Sequence, residues 1–230
     1  MTKNYLFFII ILLLIILAYI LKKNIDNFST KDNKLYIITP SIGRNNLIRT
    51  CNSIHKQKNK NWTHIILFDG LTDDKINKIT KKLPYKPIIK KGIWKNYGNG
   101  QRYEAWELVK NNSIITYIDD DDYYKDENVF DNIINKFKKN KNLDVVFWAG
   151  LREGKLIHNK PPRKNKTMSN QFAHYKFSIK NKPIRWLYHK KNDNNYSIDG
   201  LFIDNLVKKF KYDYIDKVLV IVEESKYGKL

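Results

Sequence analysis

The chain has 230 residues, with 43 Lys and Arg against 23 Asp and Glu, and its formal net charge is +20. A hydrophobic content of 42% argues against a disordered chain, and the length suits one α/β domain around a single core. The charge favours anionic partners such as nucleotides, nucleic acid or an acidic membrane surface, although the heavy use of Lys, Asn and Ile weakens that indication. The single cysteine, Cys51, excludes an intramolecular disulfide.

The N-terminal part of the chain is an uninterrupted apolar run, residues 6–21, closed by two lysines. The run is at the short end of what spans a bilayer as a helix, and no clear signal-peptide cleavage site follows it. The sequence therefore predicts a single-pass membrane protein, with an uncleaved transmembrane anchor over residues 1–21 and a polar tether over residues 22–34. The lysines that follow the run outweigh those before it, which leans toward a cytosolic body.

From residue 35 onward, extended and helical patterns alternate. β-branched and aromatic runs predict strands over residues 35–39, 63–68, 87–93, 113–118, 144–148 and 218–222. Apolar residues at helical spacing predict helices over residues 45–57, 72–83, 101–109, 129–137 and 200–210. We expect Pro40 to stop the first strand. This alternation predicts an α/β domain over residues 35–230, with a mostly parallel, Rossmann-like central sheet flanked by helices.

Four consecutive carboxylates, Asp119 to Asp122, follow the fourth predicted strand. Because strand side chains alternate, Asp119 and Asp121 can point one way while Asp120 points the other. Adjacent carboxylates repel one another, and an oxygen-ligated Mg²⁺ or Mn²⁺ among them would relieve that repulsion. Taken alone, such a cluster is more often a solvated acidic turn.

Further polar residues fall at the ends of other predicted strands, where open α/β sheets bind their ligands. They are Thr39, Pro40, Ser41 and Arg44 after the first strand, Asp69, Gly70, Thr72 and Asp73 after the second, and a glycine-rich segment from Asn96 to Arg102 before the fourth.

These motifs, in this order, resemble the family 2 glycosyltransferases, which have the GT-A nucleotide-sugar fold. The resemblance covers residues 35–124 well and the remainder loosely. The matching motifs are Thr39-Pro40-Ser41 with Arg44 for the family's Pro-Thr-x-Asn-Arg, Ser53-Ile54-x-x-Gln57 for Ser-Val-x-x-Gln, Phe68-Asp69-Gly70-x-Thr72-Asp73 for Asp-Asp-Gly-Ser-x-Asp, Asn96 to Arg102 for Asn-x-Gly…Arg, and Ile118-Asp119-Asp120-Asp121-Asp122 for Leu-Asp-Ala-Asp-Asp. Phe68 departs from the family pattern by replacing the first Asp of the second-strand pair.

The resemblance implies a metal-dependent glycosyltransferase that moves a sugar from a UDP- or GDP-sugar to a hydroxyl of a glycan, lipid or protein acceptor. Residues 35–124 would form the nucleotide-sugar-binding half, and residues 125–230 the acceptor-side half. Asp119 and Asp121 would ligate Mn²⁺ or Mg²⁺ beside the donor diphosphate. The implied donor-binding residues are Thr39, Pro40, Arg44, Asp69, Arg102, Asp119 and Asp120.

The resemblance also implies an inverting reaction, which needs a general base for the acceptor hydroxyl. Asp199 occupies the position of the family's catalytic Asp, although Ile198 replaces the Glu that precedes it there. Asp204 is the reserve candidate, and both residues could instead be ordinary carboxylates near a helix N-terminus. Trp186 could stack on an acceptor sugar.

Two other classes of protein remain as alternatives. One is a metal-dependent nucleotidyltransferase or nucleic-acid enzyme, since paired Asp residues on a basic protein also fit two-metal phosphoryl chemistry. The motifs at the first and second strands would then be coincidental, and we expect no nucleic-acid partner. The other is a catalytically inactive, membrane-tethered module that binds nucleotide sugars or glycans, which the Ile198 departure leaves open.

Overall fold

The structure is a computed structural model that describes residues 10–19, 33–94, 98–163, 166–176, 186 and 198–223. The chain divides into two compact units, Met1–Asp32 and Asn33–Leu230. In the first unit, the described residues 10–19 form a helix, α1, with exposed apolar side chains. The described part of the chain contains no helix that combines the length and the apolar character needed to cross a membrane, so the predicted single-pass membrane localisation is wrong. The rest of the predicted anchor and most of the predicted tether lie outside the described residues.

The second unit alternates strands and helices, as predicted. Its strands are β1 (Leu35–Ser41), β2 (Trp62–Asp69), β3 (Ile88–Gly92), β4 (Ile114–Tyr117), β5 (Tyr123–Tyr124), β6 (Val145–Arg152), β7 (Lys155–Ile157), β8 (Phe172–Tyr175) and β9 (Tyr212–Val222). Its helices are α2 (Leu47–His55), α3 (Asp73–Thr80), α4 (Asn99–Ala105), α5 (Val129–Lys139) and α6 (Ile198–Lys209), with short 3-10 helices at Trp106–Leu108 and Ser169–Gln171.

The nine strands form one mixed sheet in the order β3-β2-β1-β4-β8-β6-β9-β5, with β7 paired to β6. The first four strands of that order are parallel, as is the β6–β9 pair. Strands β5, β7 and β8, which the sequence analysis did not predict, pair antiparallel with their neighbours. The prediction of a mostly parallel sheet therefore holds for the half that contains β1 to β4, and the other half is mixed.

Strand β1 continues through Pro40 to Ser41, so the prediction that Pro40 stops the strand is wrong. Pro40 pairs in parallel register with Leu67 of β2. On its other side, β1 pairs with β4 only as far as Ile38. A proline is tolerated in a central strand at this point because its missing N–H falls beyond the end of one ladder.

The sheet is covered by helices on both faces, because the strand residues alternate between two cores. On one face, Leu35 and Ile37 of β1 join the apolar stripe of α5. On the other face, Tyr36 and Ile38 join residues of α4 and α6. A smaller cluster packs α2 and α3 against β2. The result is a three-layer α/β domain whose helices α2, α4 and α6 all approach the carboxyl ends of the parallel strands.

Strand β3 lies at one end of the sheet order. Its isoleucines, Ile88 and Ile89, are exposed. The next two residues are paired lysines: Lys90 Nζ lies 2.8 Å from Glu104 of α4, and Lys91 Nζ lies 2.5 Å from Asp73 of α3.

Candidate active site

The carboxyl ends of β1, β2 and β4 meet at one edge of the sheet because these strands are parallel neighbours. The acidic loop, residues 119–122, follows β4 at this edge and leads into β5. It faces the β1 loop, residues 41–44, which continues β1 toward α2. The motifs that the sequence analysis placed at strand ends are thus brought together.

Asp120 ties these two loops together. Its Oδ2 accepts hydrogen bonds from Ser41 Oγ at 2.7 Å and from the Ile42 backbone N–H at 3.2 Å. Its Oδ1 accepts from Arg44 Nη1 at 2.7 Å. The side chain is 2% exposed, and burial raises its pKa against the opposing effect of Arg44. In this geometry Asp120 is an internal anchor, and its predicted contact with a donor remains a prediction.

Asp121 shares Arg44 with Asp120. Arg44 Nη1 donates to Asp121 Oδ2 at 2.9 Å, so one guanidinium bridges two adjacent carboxylates. Burial raises the pKa of Asp121 to about 6, and Asp119 and Asp120 add to that rise against the lowering effect of Arg44. The charged form of Asp121 is therefore costly, and a further positive charge at this site would stabilise it.

Asp119 is the most accessible member of the acidic loop, with 37% of its side chain exposed. It accepts a hydrogen bond from Nη2 of Arg102, which lies on α4 and is itself 2% exposed. Arg102 Nη1 lies 4.0 Å from Oδ1 of Asp199, in the first turn of α6. The predicted base and the predicted metal ligand are therefore linked through one guanidinium, although they lie far apart in the sequence.

Asp122 is held by residues that the sequence analysis did not select. Its carboxylate accepts from the Asn170 side-chain amide and, at 3.1 Å, from the Glu223 backbone N–H. Burial raises its pKa well above the ordinary range. Asn170 and its neighbour Ser169, which accepts from Arg102 at 3.2 Å, precede the unpredicted strand β8. Because β8 was not predicted, nothing in the sequence indicated that Ser169 and Asn170 lie beside the acidic loop.

Helix α2 braces the acidic loop and the residues that follow it. Thr50 Oγ1 donates to the Asp122 carbonyl at 2.6 Å, and Ser53 Oγ accepts from the Tyr124 N–H at 3.1 Å. The Gln57 side chain donates to the Asp126 carbonyl at 2.6 Å and accepts from the Phe130 N–H at 3.0 Å. The two polar residues of this motif, Ser53 on α2 and Gln57 two residues beyond the end of α2, thus hold the main chain that follows the acidic loop.

Gly98 lets α4 approach this site closely. It has φ +84°, and a Cβ there would lie 2.9 Å from Pro40 Cγ and 2.8 Å from Arg102 Nη1. Only glycine fits this backbone and this space without displacing the guanidinium. The first two residues of the predicted glycine-rich segment, 96 and 97, lie outside the described residues.

The remaining predicted donor residues surround the ends of β1 and β2. Asp69 Oδ1 accepts from the Trp94 N–H at 2.8 Å. Thr39 is buried, and its Oγ1 lies 2.8 Å from Nε2 of His64. The donor-binding roles of both residues and of Pro40 remain predictions.

The predicted acceptor residue Trp186 is fully buried, with 0% of its surface exposed. Its ring stacks on Phe202 of α6, with centroids 4.5 Å apart and an interplanar angle of 15°. In this conformation it has no open face for a sugar, and its acceptor role remains a prediction. Asp204 follows Asp199 by five residues, which turns it about 140° around α6 and away from the direction of Arg102. The geometry therefore favours Asp199 over Asp204.

The acidic loop suits a hard divalent cation by the chemistry of its ligands, since carboxylate oxygens are what Mg²⁺ and Mn²⁺ prefer. The described residues contain no cluster of three or more His, Cys, Asp or Glu that could enclose a metal. A cation at the acidic loop would stabilise the charged form of Asp121, whose pKa burial raises.

Comparison with known proteins bears on this arrangement. The family described as Glycosyl transferase family 2 matches residues 36–198. A search of curated protein sequences gives no match.

Among solved structures, TarS of S. aureus (residues 1–349) superposes with a TM-score of 0.66 at 14% identity, covering 83% of this chain and 60% of that one. TarS 1–349 in complex with UDP-GlcNAc superposes with a TM-score of 0.65 at 16% sequence identity, covering 84% of this chain and 59% of that one. A third structure is the mannosyltransferase PcManGT from Pyrobaculum calidifontis in complex with GDP-Man and Mn²⁺. It superposes with a TM-score of 0.60 at 9% sequence identity, covering 87% of this chain and 59% of that one. The chain thus spans about three fifths of the length of these structures.

The fold is of the GT-A class, with the acidic loop at the carboxyl edge of the sheet. The chain belongs to glycosyl transferase family 2. The predicted resemblance is confirmed for the domain, and the predicted N-terminal membrane anchor is not supported.

Proposed function

We propose that this protein is a glycosyltransferase that moves a sugar from a nucleoside-diphosphate sugar to an acceptor hydroxyl, with inversion and with Asp199 as the general base. The proposal rests on family membership and on the solved relatives, whose descriptions name UDP-GlcNAc and GDP-Man. UDP- and GDP-sugars are therefore the donors to test first, with glycans, lipids and proteins as acceptor classes.

One observation carries the proposal. Arg102 contacts Asp119, the predicted metal ligand, and lies 4.0 Å from Asp199, the predicted base, so both partly buried carboxylates lie against the same guanidinium. An inverting transfer needs this pairing: one group beside the leaving diphosphate, and one base beside the attacking hydroxyl. Burial raises the pKa of Asp199, which makes its carboxylate a stronger base than an ordinary Asp.

In this reaction Asp199 would accept the proton of the acceptor hydroxyl as its oxygen attacks the anomeric carbon. The bond to the diphosphate oxygen would break on the opposite face, and the nucleoside diphosphate would leave. Arg44, fixed by Asp120, presents a positive charge at the edge where negative charge develops. Asp69 lies at the end of β2, where the base or ribose of a nucleotide would be recognised.

Asp119 and Asp121 would hold Mn²⁺ or Mg²⁺ in this proposal. The cation would neutralise charge on the leaving diphosphate. The carboxylate oxygens of these two residues are hard ligands, and Asp121 also pairs with Arg44 through Oδ2 at 2.9 Å.

The proposal is tested by incubating the protein with UDP-, GDP- and dTDP-sugars and following donor hydrolysis and transfer, with Mn²⁺, with Mg²⁺ and with EDTA. We expect turnover of one donor that needs the cation, falls at least 100-fold in Asp121→Ala, and falls similarly in Asp199→Asn with donor binding retained. The matched control is Asp131→Asn, which lies on α5 and pairs with Asn59 at 3.0 Å.

Each other outcome has a distinct meaning. Donor binding without turnover of any acceptor would indicate a nucleotide-sugar-binding module. No binding of any nucleotide sugar, together with nucleic-acid affinity that falls steeply with salt, would contradict the proposal and favour the nucleic-acid alternative.

A further inference from the structure

Arg102 is the most deeply buried cation of the candidate site, and its surroundings argue against a role in binding the donor directly. The side chain is 2% exposed, so little of the guanidinium is open to a ligand. Its neighbours include two partly buried carboxylates, Asp119 and Asp199, and the Ser169 hydroxyl at 3.2 Å. A buried guanidinium is costly unless it is paired, so these contacts fix its position.

Trp186 connects Arg102 to α6 by a second route. The Arg102 guanidinium carbon lies 5.0 Å from the centre of the Trp186 ring, within the range of a cation–π contact. The indole in turn stacks on Phe202 at 4.5 Å. Tyr117, at the end of β4, closes the side of this stack at 5.1 Å from Trp186 with an edge-on ring.

Asp199 and Phe202 are three residues apart on α6, so both side chains lie on the same face of the helix. That face therefore has two connections to Arg102. Asp199 approaches the guanidinium directly, and Phe202 stacks on Trp186, whose ring lies against the same guanidinium. The two contacts together restrict the rotation of the first turn of α6 about its axis and its distance from α4.

We infer that Arg102 and Trp186 are positioning residues that hold the Asp199 carboxylate in register with Asp119, the carboxylate on the donor side. This inference rests on the proposed function for its meaning in catalysis, because it assumes that Asp199 is the base. In this inference Trp186 supports the position of the base and does not stack on a sugar. Arg102 contacts the carboxylates of the protein and does not contact the diphosphate of the donor.

The contact itself is tested without any activity, by a double-mutant cycle in thermal unfolding with Arg102→Met and Asp199→Asn. Each single variant is expected to lower the melting temperature, and the double variant to lower it by clearly less than the sum. Additive shifts would overturn the inference, whether or not the protein transfers sugar. Should Arg102→Met fail to fold, Trp186→Leu with Asp199→Asn gives the same test through the stacking route.

The catalytic consequence is tested by steady-state kinetics on the donor that the wild-type protein uses. Because Arg102 acts through Asp199, kcat should fall at least 100-fold in Arg102→Met while the donor KM changes by less than about threefold. In the Asp199→Asn background, Arg102→Met should lower kcat no further. Trp186→Phe should keep most of kcat and Trp186→Leu should lose about tenfold, because only the aromatic residue preserves the stack.

A rise in donor KM with kcat unchanged in Arg102→Met would overturn the inference and show that the guanidinium binds the donor. The matched control is Glu104→Gln, which removes an ion pair of α4 with Lys90 and should leave kcat and KM unchanged. A wild-type protein that turns over no donor would contradict the proposed function, and the unfolding cycle would then still decide whether Arg102 holds Asp199.

Discussion

At Asp120, three donors from the β1 loop converge on one buried carboxylate. Asp120→Ala is expected to lower the free energy of unfolding by about 3 kcal/mol, because it removes the acceptor of the Ser41 hydroxyl and the Ile42 N–H and leaves Arg44 with only one of its two carboxylate partners. Urea denaturation with the midpoint and slope compared to wild type measures the change.

The control for this change is Asp74→Asn, on an exposed residue in the first turn of α3. It should shift the unfolding midpoint far less than Asp120→Ala. Equal shifts for the two variants would mean that the network around Asp120 contributes nothing beyond the loss of one negative charge.

His64 gives the domain a dependence on pH. Its ring nitrogens lie 2.6 Å from Tyr85 Oη and 2.8 Å from Thr39 Oγ1, and burial lowers its pKa to about 3. Below pH 6.5 the unfolded chain binds a proton at this histidine that the folded protein does not, so stability falls as the pH falls from 6.5 toward 3.

The expected contribution of His64 to the slope approaches about 1.4 kcal/mol per pH unit within that window. His64→Gln should flatten the curve of unfolding free energy between pH 6 and pH 4 by about that amount, whatever it does to stability at pH 7. Burial also lowers the pKa of His174, to about 4. His174 should therefore leave a smaller slope of unfolding free energy against pH, in the same direction. An unchanged slope in His64→Gln would contradict the prediction.

Among the elements, α2 and the two residues that follow it carry a motif whose side chains hold neighbouring main chain in place. Gln57→Leu keeps the volume of a fully buried side chain but removes its hydrogen bonds to the Asp126 and Phe130 backbone. We expect a loss of about 2 kcal/mol in unfolding free energy, because those backbone groups then lack a partner. Chemical denaturation measures this change. The control is Lys58→Ala, which removes a surface ion pair with Glu127 and should leave the free energy of unfolding unchanged.

The elements also show where sequence reasoning works and where it stops. Long apolar stripes, such as the one in α5, and buried runs, such as β2, have enough residues for their period to stand out. Strands β5, β7 and β8 span between two and four residues. β5 pairs with β9, and β8 pairs with β4 and β6, so both depend on partners from distant parts of the chain, whereas β7 pairs with the adjacent strand β6. No local pattern carries the information that places β5 and β8.

For the molecule as a whole, the order of the motifs predicted that the candidate residues would gather at one edge of the sheet, but not the contacts among them. The positions of Asp119, Asp121 and Asp199 followed from motif order, and the structure places Asp199 beside Arg102 and thereby near Asp119. That Asp120 would be an anchor, that Trp186 would be buried, and that Asn170 would reach the acidic loop depended on tertiary packing. The apolar run over residues 6–21 predicted a membrane span, but the described part of the chain contains no helix long and apolar enough to be one.

The position of β3 at the end of the sheet has a consequence for self-association. An edge strand with exposed isoleucines offers unpaired backbone groups to another molecule, and such edges are where proteins aggregate. Lys90 and Lys91 act against this, since pairing two copies edge to edge would bring like charges together.

The double change Lys90→Val and Lys91→Val is expected to raise light scattering during heating well before unfolding. The same double change at Lys138 and Lys139, exposed at the end of α5, removes equal charge from a helix and should not. Equal scattering from both variants would mean that net charge, and not the protected edge, keeps the molecules apart.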